Sequence, residues 1–167
     1  MNLIALGINH NSAHVEVRER VAFAPEQVSE AMNDACSAVG VEEVVVLSTC
    51  NRTEFYTASE GVDELSAEEI TKFWAKCRRI CPSEMNGHLY DDRDEEAVRR
   101  LLTVASSLDS MVVGEPQILA QVKEAYQLAT EADTTGPTTH ALFQAALKAA
   151  RRVAGETAIQ QRRVSIH

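Results

Sequence analysis

The chain has 167 residues and a formal net charge of −9 at pH 7, with 45% hydrophobic, 25% charged and only 5% aromatic residues. That length supports one well-buried and mostly aliphatic core, or one domain with an extension, and argues against two full domains. The acidic balance speaks against nonspecific nucleic-acid binding by the chain as a whole, and no apolar run is long enough to span a bilayer. The start, MNLIALGINH, lacks the basic region and long apolar block of a secretory signal, so the sequence reads as cytoplasmic and not membrane-bound.

In chain order, Leu3 to Ile8 reads as a strand, followed by the turn-rich GINHNSAH with His10 and His14. Glu16 to Val21 reads as a short helical turn. Ala24-Pro25 opens a helix to about Val39, closed by Gly40. Val44 to Leu47 is a continuous apolar run of the buried-strand type, and Thr53 to Thr57, with Phe55 and Tyr56, is a second. Their short connection implies antiparallel pairing. Ser59 to Asp63 reads as a loop. Ser66 with Glu69 is a capping box for a helix whose core face carries Ile70, Phe73, Trp74 and Cys77.

Pro82 to Gly87 breaks the pattern, and His88 to Tyr90 reads as a short strand. A helix from Asp94 to Ala105 follows, with Ala97, Val98, Leu101, Leu102 and Ala105 inward and Arg99 and Arg100 on its polar face. Ser106 to Ser110 reads as a turn and Met111 to Val113 as a buried apolar piece. Gly114-Glu115-Pro116 then leads into a helix from Gln117 to Thr130, with Ile118, Val122, Ala125 and Tyr126 inward. Ala132 to Thr138 reads as the clearest linker, and Thr139 begins a long amphipathic helix through at least Glu156. The closing VSIH stops mid-pattern, which suggests a natural chain that continues. The fold class expected is α+β: an antiparallel sheet with helices packed on one face, plus a long C-terminal connecting helix.

Cys50 sits at the exit of the Val44 strand, in a tight loop with Arg52 two residues on. A nearby guanidinium and loop amides favour the thiolate, the form that attacks carbonyl carbon. The competing reading is an inert thiol buried beside an apolar strand. Cys36, Cys50, Cys77 and Cys81 all read as free thiols in a reducing compartment. Cys77, Cys81 and His88 raise a zinc site, but the spacing is not C-x-x-C and no fourth ligand is evident, so no metal is expected. Lys148, Arg151, Arg152, Arg162 and Arg163 make the C-terminal end basic, either a solvated helix face or a place for phosphate.

Three stretches stand together: GINHNSA followed by VRER, VVLSTCNRTEFY, and ASSLDSMVVGEPQILAQVKEAY. The set resembles the N-terminal catalytic domain of glutamyl-tRNA reductase, over nearly the whole chain from Leu3 to about Arg163. STCNRTE and GEPQILAQVK are long and peculiar in composition, so the resemblance is specific. It implies that Cys50 takes glutamate from glutamyl-tRNA(Glu) as a thioester, which NADPH reduces to glutamate-1-semialdehyde, the entry to tetrapyrrole synthesis through 5-aminolevulinate. It implies a substrate pocket of Thr49, Cys50, Asn51, Arg52, Ser110, Glu115, Pro116, Gln117 and Gln121. Within it Arg52 is suited to the glutamate side-chain carboxylate and Glu115 to the ammonium. On the residues alone, Glu115 as a helix start and Gln121 as a solvated helix residue remain open.

The resemblance further implies a catalytic (glutamyl-binding) domain over residues 1–138 and, over residues 139–167, the start of a long connecting helix toward an NADPH-binding domain that this chain lacks. A homodimer when full length, and channelling to glutamate-1-semialdehyde aminomutase, are also implied. One position departs from the family pattern: where A-V-x-H-L is typical, this chain reads AVRRL, placing Arg100 at the histidine. Arg100 is a candidate catalytic cation, although a guanidinium cannot shuttle a proton at neutral pH. A second reading keeps the fold without the turnover: a catalytically weak relative serving as a binding or regulatory module. His10 and His14 read first as loop histidines.

Overall fold

The computed structural model describes residues 2–61 and 66–160. The expected loop beyond Gly61, the closing VSIH, and Arg162 and Arg163 lie outside them. Strands β1 (Asn2–Asn9), β2 (Glu43–Ser48), β3 (Arg52–Ser59) and β4 (Tyr90–Arg93) form one sheet in the order β2-β3-β1-β4, with every pairing antiparallel. Around it lie α1 (Val15–Val21), α2 (Pro25–Val39), α3 (Ala67–Arg78), α4 (Glu95–Ala105), α5 (Gln117–Glu131) and α6 (Pro137–Glu156). The α+β class and the antiparallel sheet built on the Leu3, Val44 and Thr53 strands are therefore as expected.

Local chemistry sets several boundaries where the sequence places them. Pro25 opens α2, and Gly40 closes it at φ +77°. The Ser66 hydroxyl accepts the Glu69 N–H at the start of α3. The last strand, β4, falls at Tyr90–Arg93 rather than at His88 to Tyr90. It is a short polar edge strand, whose charged residues the sequence pattern does not mark as strand.

Helices cover both faces of the sheet, which corrects the expectation of one covered face. Consecutive strand residues point to opposite sides. Phe55 meets Trp74 of α3 at 5.0 Å between ring centroids, whereas its neighbour Tyr56 meets Phe143 of α6 edge-on at 5.6 Å. Seven of the eight β3 residues are buried, as a central strand between two helical layers requires. The Trp74 indole donates to the Val21 carbonyl at 2.8 Å, so the largest ring of that layer leaves no polar atom unpaired.

Met111 to Val113 are not buried. Their exposures are 61%, 48% and 60%, and they form the apex of the connection between α4 and α5. Gly114 N–H donates to Ser107 O and Glu115 N–H to Val112 O, closing the loop and turning its apex to solvent. The Ala132 to Thr138 stretch is likewise no free linker. Thr134 is buried, its carbonyl accepts the Val44 N–H at 2.8 Å, and its hydroxyl donates to Val44 O, so it occupies the edge of β2. One residue back, the Glu43 carboxylate accepts the Thr138 and Thr139 N–H groups and the Thr139 hydroxyl at the start of α6. Leu142, Phe143, Ala146, Leu147 and Ala150 of α6 then join the core formed by the preceding residues. Among the described residues no helix is long and apolar enough to cross a membrane.

Candidate active site

The turn from Thr49 to Arg52 carries the candidate nucleophile. Thr49 N–H donates to Arg52 O at 2.8 Å, and the Thr49 hydroxyl accepts the N–H groups of Asn51 and Arg52 at 3.2 Å. These bonds hold a hairpin tip with Cys50 and Asn51 as its central residues, and Cys50 is exposed there. The inert buried thiol is thus the wrong picture for Cys50. Cys36 and Cys77 are the half-buried ones, and burial pushes both thiols up. Exposed Cys81 accepts the Ser83 hydroxyl, and that hydrogen bond draws its thiol down. Among the described residues no three His, Cys, Asp or Glu side chains converge to hold a metal ion.

A cavity of about 30 Å³ opens at the turn. Thr49, Cys50, Asn51 and Arg52 form one wall, Ser110 and Glu115 from the α4–α5 loop a second, and Gln117, Ile118 and Gln121 from the start of α5 the third. The structure therefore brings together the expected substrate residues except Pro116, which is exposed and stands just before α5. Ile118, read from the sequence as core alone, also reaches the wall.

Behind the cavity lies a buried polar network that the sequence reading missed. Arg52, Glu54 and Tyr56 alternate along β3 and so share one face. Arg52 is 2% exposed and donates to Glu54 Oε1 at 2.9 Å, to the Asp109 carbonyl, and to the Asp109 carboxylate at 3.4 Å. Glu54 also accepts the hydroxyls of Tyr56 and Tyr90, the latter at 2.6 Å across β1. Burial works against the Arg52 charge, but Glu54, Tyr90 and Asp109 outweigh it and push the pKa up. Burial and then Glu54 push both tyrosines up, so they stay protonated donors. The period of two, with a carboxylate between an arginine and a tyrosine, was the one sequence signal for this network.

Arg100 stands apart from the Cys50 cavity. Its guanidinium lies 3.8 Å above the Tyr90 ring, pairs with Asp92, and is 3.7 Å from Asp109. It lines a separate cavity of about 270 Å³ together with Asp92, Arg99 and Asp109. Asp109 is thus the bridge between Arg100 and Arg52. The first loop joins at the same point: Asn11 Nδ2 donates to Asp109 Oδ1 at 3.2 Å. His10 is half-buried with Nδ1 unpaired, and burial and then Arg52 hold its imidazole below the ordinary 6.5. His14 is exposed at the start of α1. Among the described residues every strand pair is antiparallel, so the parallel βαβ unit whose glycine turn cradles a pyrophosphate is not built from them.

Residues 6–157 match a family model described as glutamyl-tRNAGlu reductase, N-terminal domain. The chain is similar to the glutamyl-tRNA reductase of Ectopseudomonas mendocina (strain ymp), 48% identical, and to that of Pseudomonas putida (strain W619), 46% identical, over 166 residues in each case. Those alignments cover 99% of this chain but 38% of each relative. Among solved structures, glutamyl-tRNA reductase from Methanopyrus kandleri matches with a TM-score of 0.80 at 32% identity, over 98% of this chain and 37% of that one. The chain therefore spans a little over a third of the length of these relatives.

Proposed function

The chain belongs to the glutamyl-tRNA reductase N-terminal domain family, and from that premise we propose that it is the acyl-transfer domain of such an enzyme, with Cys50 as nucleophile. The Cys50 thiolate attacks the carbonyl carbon of the glutamyl ester on the tRNA ribose. The ester carbon–oxygen bond breaks, the ribose hydroxyl leaves with the proton that the thiol gave up, and glutamate remains on sulfur as a thioester. An aminoacyl ester is already activated, so the thiolate needs little further assistance. Thr49 and Asn51 shape the turn, Arg52 receives the side-chain carboxylate, Glu115 the ammonium, and Ser110, Gln117 and Gln121 supply further hydrogen bonds. Pro116 starts the helix that presents the two glutamines.

Reduction of the thioester by NADPH to glutamate-1-semialdehyde falls, on this reading, to the part of the longer relatives outside the match. Homodimerisation and hand-over to an aminomutase belong to the same whole-enzyme reading. Without a reductant the thioester yields to water, so this chain acts as a slow glutamyl-tRNA esterase.

The observation that carries the proposal is convergence. Two stretches far apart in the chain, around Cys50 and from Ser110 to Gln121, meet about one exposed thiol. Mass spectrometry after incubation with glutamyl-tRNA tests it. One glutamyl adduct, released by neutral hydroxylamine and missing in Cys50→Ala, is expected; an adduct of equal yield in Cys50→Ala defeats the assignment.

A further inference from the structure

We infer that Asp109 is a resident stand-in for the substrate's side-chain carboxylate, displaced from Arg52 toward Arg100 when glutamate enters. The inference rests on the reading of Arg52 as the carboxylate receptor. Arg52 already faces two carboxylates, those of Glu54 and Asp109, while buried to 2% exposure. A third brought in by substrate would place three anions about one desolvated cation, which their mutual repulsion forbids. One of the two has to leave.

The geometry selects which. Glu54 is 0% exposed and accepts from Arg52, Tyr56 and Tyr90, so its departure would break three hydrogen bonds of the network at once. Asp109 has a 24% exposed side chain, and its carboxylate lies at a long 3.4 Å from the Arg52 nitrogens. Its backbone carbonyl also accepts from Arg52, and that bond survives a turn of the side chain alone. The residue belongs to a loop whose Leu108, Met111, Val112 and Val113 are exposed, so little packing opposes the turn.

The same geometry supplies the destination. Arg100 is already 3.7 Å from Asp109, beside a cavity of about 270 Å³, whereas the Cys50 cavity has about 30 Å³. The smaller space holds about one or two waters. A glutamyl group is several times that size, so the Cys50 side has to open as substrate binds. Turning Asp109 toward Arg100 keeps the charge count around each guanidinium and releases the Asn11 contact at 3.2 Å. Arg100 thereby acts on the site through Asp109, as a positioning residue rather than a proton carrier.

The test is calorimetric binding of free L-glutamate to the full chain, which needs no acyl transfer, followed by single-turnover acylation of Cys50 by glutamyl-tRNA. Asp109→Asn is expected to tighten glutamate binding about three- to tenfold by removing the internal competitor, and to lower the half-saturating glutamyl-tRNA concentration more than it changes the acylation rate. Arg100→Gln is expected to weaken binding by a similar factor. In Asp109→Asn/Arg100→Gln the loss due to Arg100 disappears, because there is no displaced carboxylate to receive. Binding of L-glutamine, which carries no side-chain carboxylate, is not tightened by Asp109→Asn.

Weaker glutamate binding in a folded Asp109→Asn, additive effects in the double variant, or no glutamate binding to any of the proteins overturns the inference. The expected binding pattern without Cys50 acylation would instead overturn the acyl-transfer reading.

Discussion

Gly7 lies on β1 between Glu54 of β3 and Tyr90 of β4, and its missing side chain is what lets the Tyr90 ring cross to the carboxylate. A Cβ there would stand 2.6 to 2.7 Å from the Tyr90 hydroxyl and ring carbons. Gly7→Ala is therefore expected to destabilise the fold by about 1–3 kcal/mol, read from the urea midpoint, because the ring is held by Glu54 below and Arg100 above. His10 gives a residue-scale test in pH. Burial first, then Arg52, hold its pKa below 6.5, with Asp109 opposing and Arg18 adding to the decrease. As pH falls through 6.5 the unfolded chain binds this proton before the folded one, so stability drops. Proton NMR should place the folded midpoint below 6.5, and His10→Gln should lose less stability than wild type between pH 7.5 and pH 5.5. The residues that the sequence revealed, Cys50 and Arg52, lie in one turn where neighbours in the chain are neighbours in space. Asp109 is 57 positions from Arg52, and Tyr90 is 36 from Glu54. Only the folded chain brings those partners together, so no local pattern betrays them.

At the scale of elements, the start of α6 is held by Glu43, a buried strand residue whose carboxylate satisfies two helix N–H groups and a hydroxyl. Glu43→Gln replaces that charge with an amide that cannot accept all three, and is expected to cost about 1–3 kcal/mol in urea unfolding. A solvated first turn would show no change. The stretch before it looked like a linker because Thr, Gly and Pro interrupt both neighbouring helices; what the composition could not convey is that Thr134 completes the edge of β2. The α4–α5 loop has its own latch. Ser107, at φ +62°, donates to Glu115 O at 2.8 Å, and its Oγ is within hydrogen-bond distance of Ser110 Oγ at 3.2 Å. Ser107→Ala frees both wall residues, so the half-saturating glutamyl-tRNA concentration is expected to rise about three- to tenfold, with secondary structure by circular dichroism unchanged. The apex of this loop was misread as core because three apolar residues in a row carry no period that separates inside from outside.

Across the whole molecule, the proposed function asks an acidic chain for a local place for tRNA phosphates, and the exposed face of α6 carries Lys148 and Arg151, with Arg152 paired to Glu156. Beyond α6, Ile159 packs against Gly114 of the α4–α5 loop. Arg151→Ala is expected to lower the salt slope of glutamyl-tRNA binding by about 0.7–0.9 and to leave acylation by a small glutamyl ester unchanged. An unaltered slope would remove α6 from the tRNA path. The α+β class was legible from the strand and helix periods. The second helical layer was not, because a strand buried on both sides shows no alternation to announce it. Phe55 and Tyr56, adjacent yet serving different layers, impose a further condition on how the protein folds. Were β3 to slip by one position, Glu54 would be thrust among the aromatic rings beside Trp74 and Phe55 would land in the charged cluster. Such a misfolded chain would bury an unpaired anion and wet a hydrophobic ring at once, so the arrangement that builds the site also makes its nearest mispaired competitor unstable.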